Sequence, residues 1–278
     1  MMSPDSKLGL NNDSSNSELE HGVLPDSFCP IASRAYGSDI VYSTLGYELL
    51  RNPNYMTTMN ELLLGISISI SNILFAYGIA GLNNPIEEID TSFSVEMDSG
   101  QTSTISYLGR GSNSWAFLIE LPDMPRLVAK LPTHGYNEGP ITFLRGKSYN
   151  ESNYINEMRA LVHIENEYCD RLNSANLVFP TPVMAGTFFS ISTFEDGLPL
   201  SDQSVTSVYG PRYYKEVLVP LGEQLFKDYF RSTFTNPDLE YLQDITIDWV
   251  FGKEKEIVVQ TSSDGSFRFV CLDPLASS

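Results

Sequence analysis

The chain has 278 residues, 42% of them hydrophobic, with 35 acidic against 17 basic side chains and a formal charge of −18. That length supports one catalytic-sized unit with an extension, or two small lobes around a cleft, and excludes several independent domains. The charge argues against nucleic acid, since like charge repels a polyanion over a Debye length, and three scattered cysteines (Cys29, Cys169, Cys271) without a Cys-x-x-Cys pair argue against a disulfide framework or zinc.

Residues 1–28 are rich in Ser, Asn, Asp and Glu and poor in aromatics, so they cannot bury enough apolar surface to offset the entropy of ordering, and a disordered tail is expected. The first residues lack a charged-then-apolar leader, which makes a cytoplasmic protein the expectation. A helical extension is expected over 29–88. Tyr36, Ile40, Tyr42, Leu45, Leu49 and Leu50 recur at three- and four-residue intervals until Asn52 and Pro53 break the pattern. The stretch Leu62 to Leu82 is uncharged and long enough to cross a bilayer. It also holds Ser67, Ser69, Ser71, Asn72 and three glycines and has no basic flank, which favours a buried helix over membrane contact.

From residue 89 the pattern alternates with period two. Residues 90–108, turning at Asp98-Ser99-Gly100, predict a hairpin. Further strands are predicted at Trp115–Leu121, Arg126–Leu131, Val183–Gly186, Phe188–Phe194, Glu256–Thr261 and Phe267–Leu272. Helical spacing predicts two long helices, Ser152–Leu172 and Tyr213–Phe230, and the aromatic run Phe226 to Phe234 is expected in the core. This element order is α+β.

Between two predicted strands lies Leu108-Gly109-Arg110-Gly111-Ser112-Asn113-Ser114-Trp115-Ala116-Phe117. Glycines there let the backbone close over a phosphate and donate amides to it, and they would equally serve a tight hairpin. Trp115 is expected to pack against the sheet. One hairpin later, Val128-Ala129-Lys130 puts a lysine at the end of an apolar strand, where an ammonium needs an anion. Glu157, on the first long helix, is a candidate for that anion. Gly146-Lys147-Ser148 lacks the glycine that a phosphate loop of Walker type needs, and the three histidines are scattered.

Taken together, these motifs resemble the protein kinase superfamily. The Leu108–Ala116 stretch is similar to its glycine-rich loop, with Ser114 in place of the third glycine, and Val128-Ala129-Lys130 to its third-strand lysine. The resemblance spans about 165 residues and keeps the family's motif order. It implies a two-lobed fold over 89–278, with an antiparallel-sheet first lobe and a truncated second lobe. It further implies that ATP contacts Leu108, Gly109, Gly111, Ser112, Ser114, Ala116 and Lys130, that Glu157 orients Lys130, and that Glu195 lies on the hinge beside the adenine. Asp273, in Leu272-Asp273-Pro274-Leu275, stands where the DFG motif has its magnesium ligand. Asp248 stands where the catalytic base lies, without the usual histidine, and five residues on, Lys253 replaces the family's magnesium-binding asparagine. Glu256 is a weaker candidate oxygen donor.

The activity implied is ATP- and magnesium-dependent phosphoryl transfer of serine/threonine-kinase type to a hydroxyl, on a protein substrate or partner. The alternative is a pseudokinase or scaffold that binds nucleotide, or a partner through residues 30–85, without turnover. A small-molecule kinase of the aminoglycoside type shares the same first lobe, and an acidic surface would suit its cationic acceptor.

Overall fold

The computed structural model describes residues 40–50, 92–96, 100, 102–110, 114–122, 124–132, 153–186, 189–206 and 210–277. The expected tail over 1–28, most of the expected extension and the whole of Leu62–Leu82 lie outside these residues. Among the described residues, no helix is long and apolar enough to cross a membrane.

The architecture is α+β. Its largest sheet has seven strands in the order β1-β7-β8-β5-β4-β3-β2, all paired antiparallel: β1 Ile40–Tyr42, β2 Ser92–Glu96, β3 Thr102–Arg110, β4 Ser114–Glu120, β5 Leu127–Pro132, β7 Pro182–Gly186 and β8 Phe189–Thr193. The predicted alternation is realised in β4, where Trp115, Phe117 and Ile119 are buried and the residues between them are not. Trp115 packs 5.9 Å from the Tyr107 ring, inside the sheet's core as expected.

One expectation is corrected. Ile40-Val41-Tyr42, read as part of a helix, is instead an edge strand in register with Met184, Ala185 and Gly186. The helix follows it, as α1 Thr44–Leu50, capped by Ser43, whose Oγ accepts from Gly46 N–H at 3.2 Å and donates to Pro182 O at 2.5 Å.

The first long helix, α2 Asn153–Ser174, lays Tyr154, Ile155 and Met158 against Val41 and Ala185. Its far half joins a second core with Phe179, Leu218, Leu225, Tyr229, Trp249 and Phe269. That core lies under a four-stranded sheet, β6 Leu177–Val178, β12 Phe267–Cys271, β11 Ile257–Thr261 and β9 Leu198–Pro199 in spatial order, with β6 parallel to β12. A two-stranded ladder of β10 Ile245–Ile247 and β13 Leu275–Ser277 completes the set.

The second long helix, α3 Val219–Thr235, is entered through a π turn at Tyr214–Leu218. Pro220 has no N–H for the carbonyl four residues back, and the wider turn accommodates that loss. Of the aromatic run expected in the core, Tyr229 is buried, but Phe230 and Phe234 are 49% and 53% exposed. They fall at i and i+4 on the face opposite the Leu225–Tyr229 stripe, so helical phase overrides composition.

Candidate functional site

β3, β4, β5 and β8 form the roof of a cleft of about 650 Å³, and the segment around Asp248 together with the end of β12 forms its floor. This volume lies in the ordinary range of small-ligand pockets. Three of the five lysines among the described residues line it (Lys130, Lys253, Lys255), against Glu195, Asp248, Glu256 and Asp273.

The roof follows from the strand register. Ala116 pairs with Lys130 across β4 and β5, which sends both into the cleft beside Val128. The β3–β4 ladder slips between Tyr107 and Gly109, a bulge that leaves Leu108 as an extra residue, 46% exposed at the cleft mouth. Ser114 also lines the cleft and shares a 2.9 Å hydrogen bond with Tyr154 OH. Gly111 and Ser112 lie outside the described residues.

Lys130 Nζ donates to Asp273 Oδ1 at 2.9 Å and to Leu272 O at 3.5 Å. The two residues named from separate motifs thus meet directly. Glu157, expected as the lysine's anion, lines an adjoining pocket together with Lys130, Tyr154, Met158 and Asp273.

On the floor, Asp248 and Lys253 form an ion pair, and Lys253 Nζ lies 3.3 Å from Glu256 Oε2. Burial pulls the Lys253 ammonium down, but its hydrogen bond to Asp248 and the fields of Glu256, Asp248 and Asp273 outweigh burial and hold it above the ordinary lysine value. Glu256 is pushed up, first by burial and then by Asp273 and Asp248, with Lys253 opposing. Its Oε2 is buried without an aligned hydrogen bond, so the 3.3 Å approach of Lys253 is a charge contact only.

Glu195, which the family resemblance puts at the hinge, lines the cleft and is held on three sides. It accepts from Thr193 Oγ1 and from Gln260 Nε2, each at 2.9 Å, and pairs with Arg268 at 3.4 Å. Sequence reasoning missed the Gln260 and Arg268 ties to Glu195 and the Tyr154–Ser114 bond, which join distant segments and have no local signal, and it also missed Lys255 on the cleft lining.

Magnesium bound with a nucleotide needs only one or two carboxylates, the rest of its shell being phosphate and water. Among the described residues, no group of three or more His, Cys, Asp and Glu is arranged to hold a metal by itself. The half-exposed Asp273 fits the smaller requirement.

No protein-family model and no curated protein matches the chain. Among solved structures, it is similar to the Rv3197–erythromycin complex from Mycobacterium tuberculosis, at 12% identity over 62% of this chain and 45% of that one, with a TM-score of 0.29. It is also similar to the Rio2 kinase–ADP/Mg2+–phosphoaspartate complex from Chaetomium thermophilum, at 15% identity over 61% of this chain and 47% of that one, with a TM-score of 0.30. The chain spans less than half the length of both, and at these TM-scores the likeness assigns neither fold nor activity.

Proposed function

We propose that the chain is a protein-kinase-like ATP-dependent phosphotransferase, which binds ATP in this cleft and passes its γ-phosphoryl group to a hydroxyl acceptor. The observation that carries the reading is the 2.9 Å Lys130–Asp273 ion pair, which joins a roof cation to a floor carboxylate across 143 residues. Phosphoryl transfer is mainly positioning and charge neutralisation, and the cleft offers both.

Lys130 is assigned to supply positive charge to phosphate oxygens, and Glu157, which lines the adjoining pocket with it, is assigned to orient it once Asp273 is drawn away. Leu108, Ala116 and Val128 give the base an apolar ceiling, and the strapped Glu195 stiffens the strand edge beside it. Gly109, with Gly111 and Ser112, is assigned to the phosphate loop. Asp273 is assigned to magnesium, which when bound would supply positive charge to the phosphates. Asp248 is assigned as the base that takes the acceptor hydroxyl's proton.

A second reading, binding without turnover, is favoured by one observation: Lys253 engages the Asp248 carboxylate, which the proton would otherwise reach. A thermal-shift titration with ATP, with and without magnesium, tests nucleotide binding in wild type, Lys130→Ala and Asp273→Ala. A magnesium-dependent rise lost in both variants supports the site. No shift with any nucleotide, far above ordinary kinase affinities, overturns it. Transfer of labelled γ-phosphate, lost in Asp248→Asn while the ATP shift persists, separates enzyme from binder.

A further inference from the structure

The segment after Asp248 turns at Gly252, whose φ of +91° is left-handed and therefore suits glycine. The reversal brings Lys253 back over Asp248 and within 3.3 Å of Glu256 Oε2. Its own backbone is tied in place: Glu256 N–H donates to Lys253 O at 3.0 Å, and Leu272 N–H donates to Glu256 O at 2.8 Å. The Lys253 side chain is 29% exposed and that of Asp248 17%, and both line the same cleft as Lys130 and Asp273.

We propose that the Lys253 ammonium, clamped between Asp248 and Glu256, is the second cation of the phosphate site, so that the nucleotide complex takes up one divalent ion and not two. This rests on the reading of the cleft as an ATP site. An asparagine at this position would offer a carbonyl oxygen to a metal; a lysine offers three donors and no acceptor, so it cannot ligate and brings its own charge. The same clamp engages Asp248 and Glu256, the carboxylates that a second ion would need. A divalent ion placed there would also meet like charge at close range. Lys130 and Lys253 then flank Asp273 as fixed positive charges, one from the roof and one from the floor, with a single metal position between them.

The test counts ions. Manganese(II) is titrated into the full chain with a non-hydrolysable ATP analogue, and electron paramagnetic resonance reads the bound fraction. One Mn2+ per bound analogue is expected in wild type, and two in Lys253→Asn. Analogue affinity at saturating magnesium is expected to fall about tenfold or more in Lys253→Met and to hold within about threefold in Lys253→Arg. Two ions in wild type, or an undiminished affinity in Lys253→Met, overturns the proposal and leaves the nucleotide site standing. Analogue that does not bind wild type removes both readings. The wild-type count decides even where a variant fails to fold.

Discussion

Gly222 lies directly against the indole of Trp249: a Cβ built on it would overlap Trp249 Nε1 and Val250 Cγ1. The indole N–H is meanwhile committed to Leu218 O at 3.2 Å, one turn earlier on the same helical stretch. The absence of a side chain at Gly222 is what lets α3 seat the segment that carries Asp248. Gly222→Ala is therefore expected to destabilise the fold by about 1–3 kcal/mol through overpacking, read as a lower denaturant midpoint. An unchanged midpoint would mean that the indole shifts without cost.

Lys130→Met separates stability from binding. The Lys130–Asp273 pair is only partly buried, with side-chain exposures of 27% and 50%, so its loss is expected to cost about 0–1 kcal/mol of folding stability. The ATP-induced rise in melting temperature is expected to vanish in the same variant. A large loss of stability in the absence of ligand would make the pair structural and weaken the case for a phosphate site.

Ser43 holds the edge strand β1 and helix α1 together, since its Oγ caps the helix and also bonds to Pro182 O. Ser43→Ala is expected to cost about 1–2 kcal/mol in urea denaturation, the range for a lost N-cap. Ser43→Asp, which restores an acceptor for Gly46 N–H but cannot donate to Pro182 O, is expected to recover only part of that cost.

Glu165 supplies a pH dependence. Burial pushes its carboxyl up to about 7 from an ordinary 4.5. Between those values the folded protein keeps a proton that the unfolded chain has released, so stability falls as pH rises through that window and stays lower above it. Glu165→Gln is expected to match wild type near the acid end and to gain up to about 3 kcal/mol over it above neutrality. His163, which burial lowers against the field of Glu167, is common to both proteins and cancels in the difference. Parallel stability profiles for the two proteins would rule out the ionisation of Glu165 as the cause.

The elements that sequence predicts well are those whose signal is local. The alternation over Trp115–Leu121 and the helical spacing of Ile155, Met158 and Val162 each specify their own conformation, and the structure keeps both. Ile40 and Tyr42 fit a helical spacing with Leu45 and Leu49, and only pairing with Met184–Gly186 makes them a strand. The two-residue strand β6 is defined in the same way by Val270 and Phe269 opposite it. In the site, Lys130 and Asp273 were legible as separate motif members, but their meeting depends on the way β5 and β12 are brought together. Lys253 was legible as a departure from a motif. Its clamp on Asp248 needed the Gly252 reversal, which residue identity alone does not specify.

A main-chain bond joins the segment of Asp248 to that of Asp273. Asp248 N–H donates to Pro274 O at 2.9 Å, and β10 and β13 pair immediately beyond, Ile247 opposite Leu275. The spacing of Asp248 and Asp273 is thus written in main-chain bonds that ignore what either side chain is. Replacing either carboxylate therefore removes a charge without moving the backbone that sets the distance between the two positions.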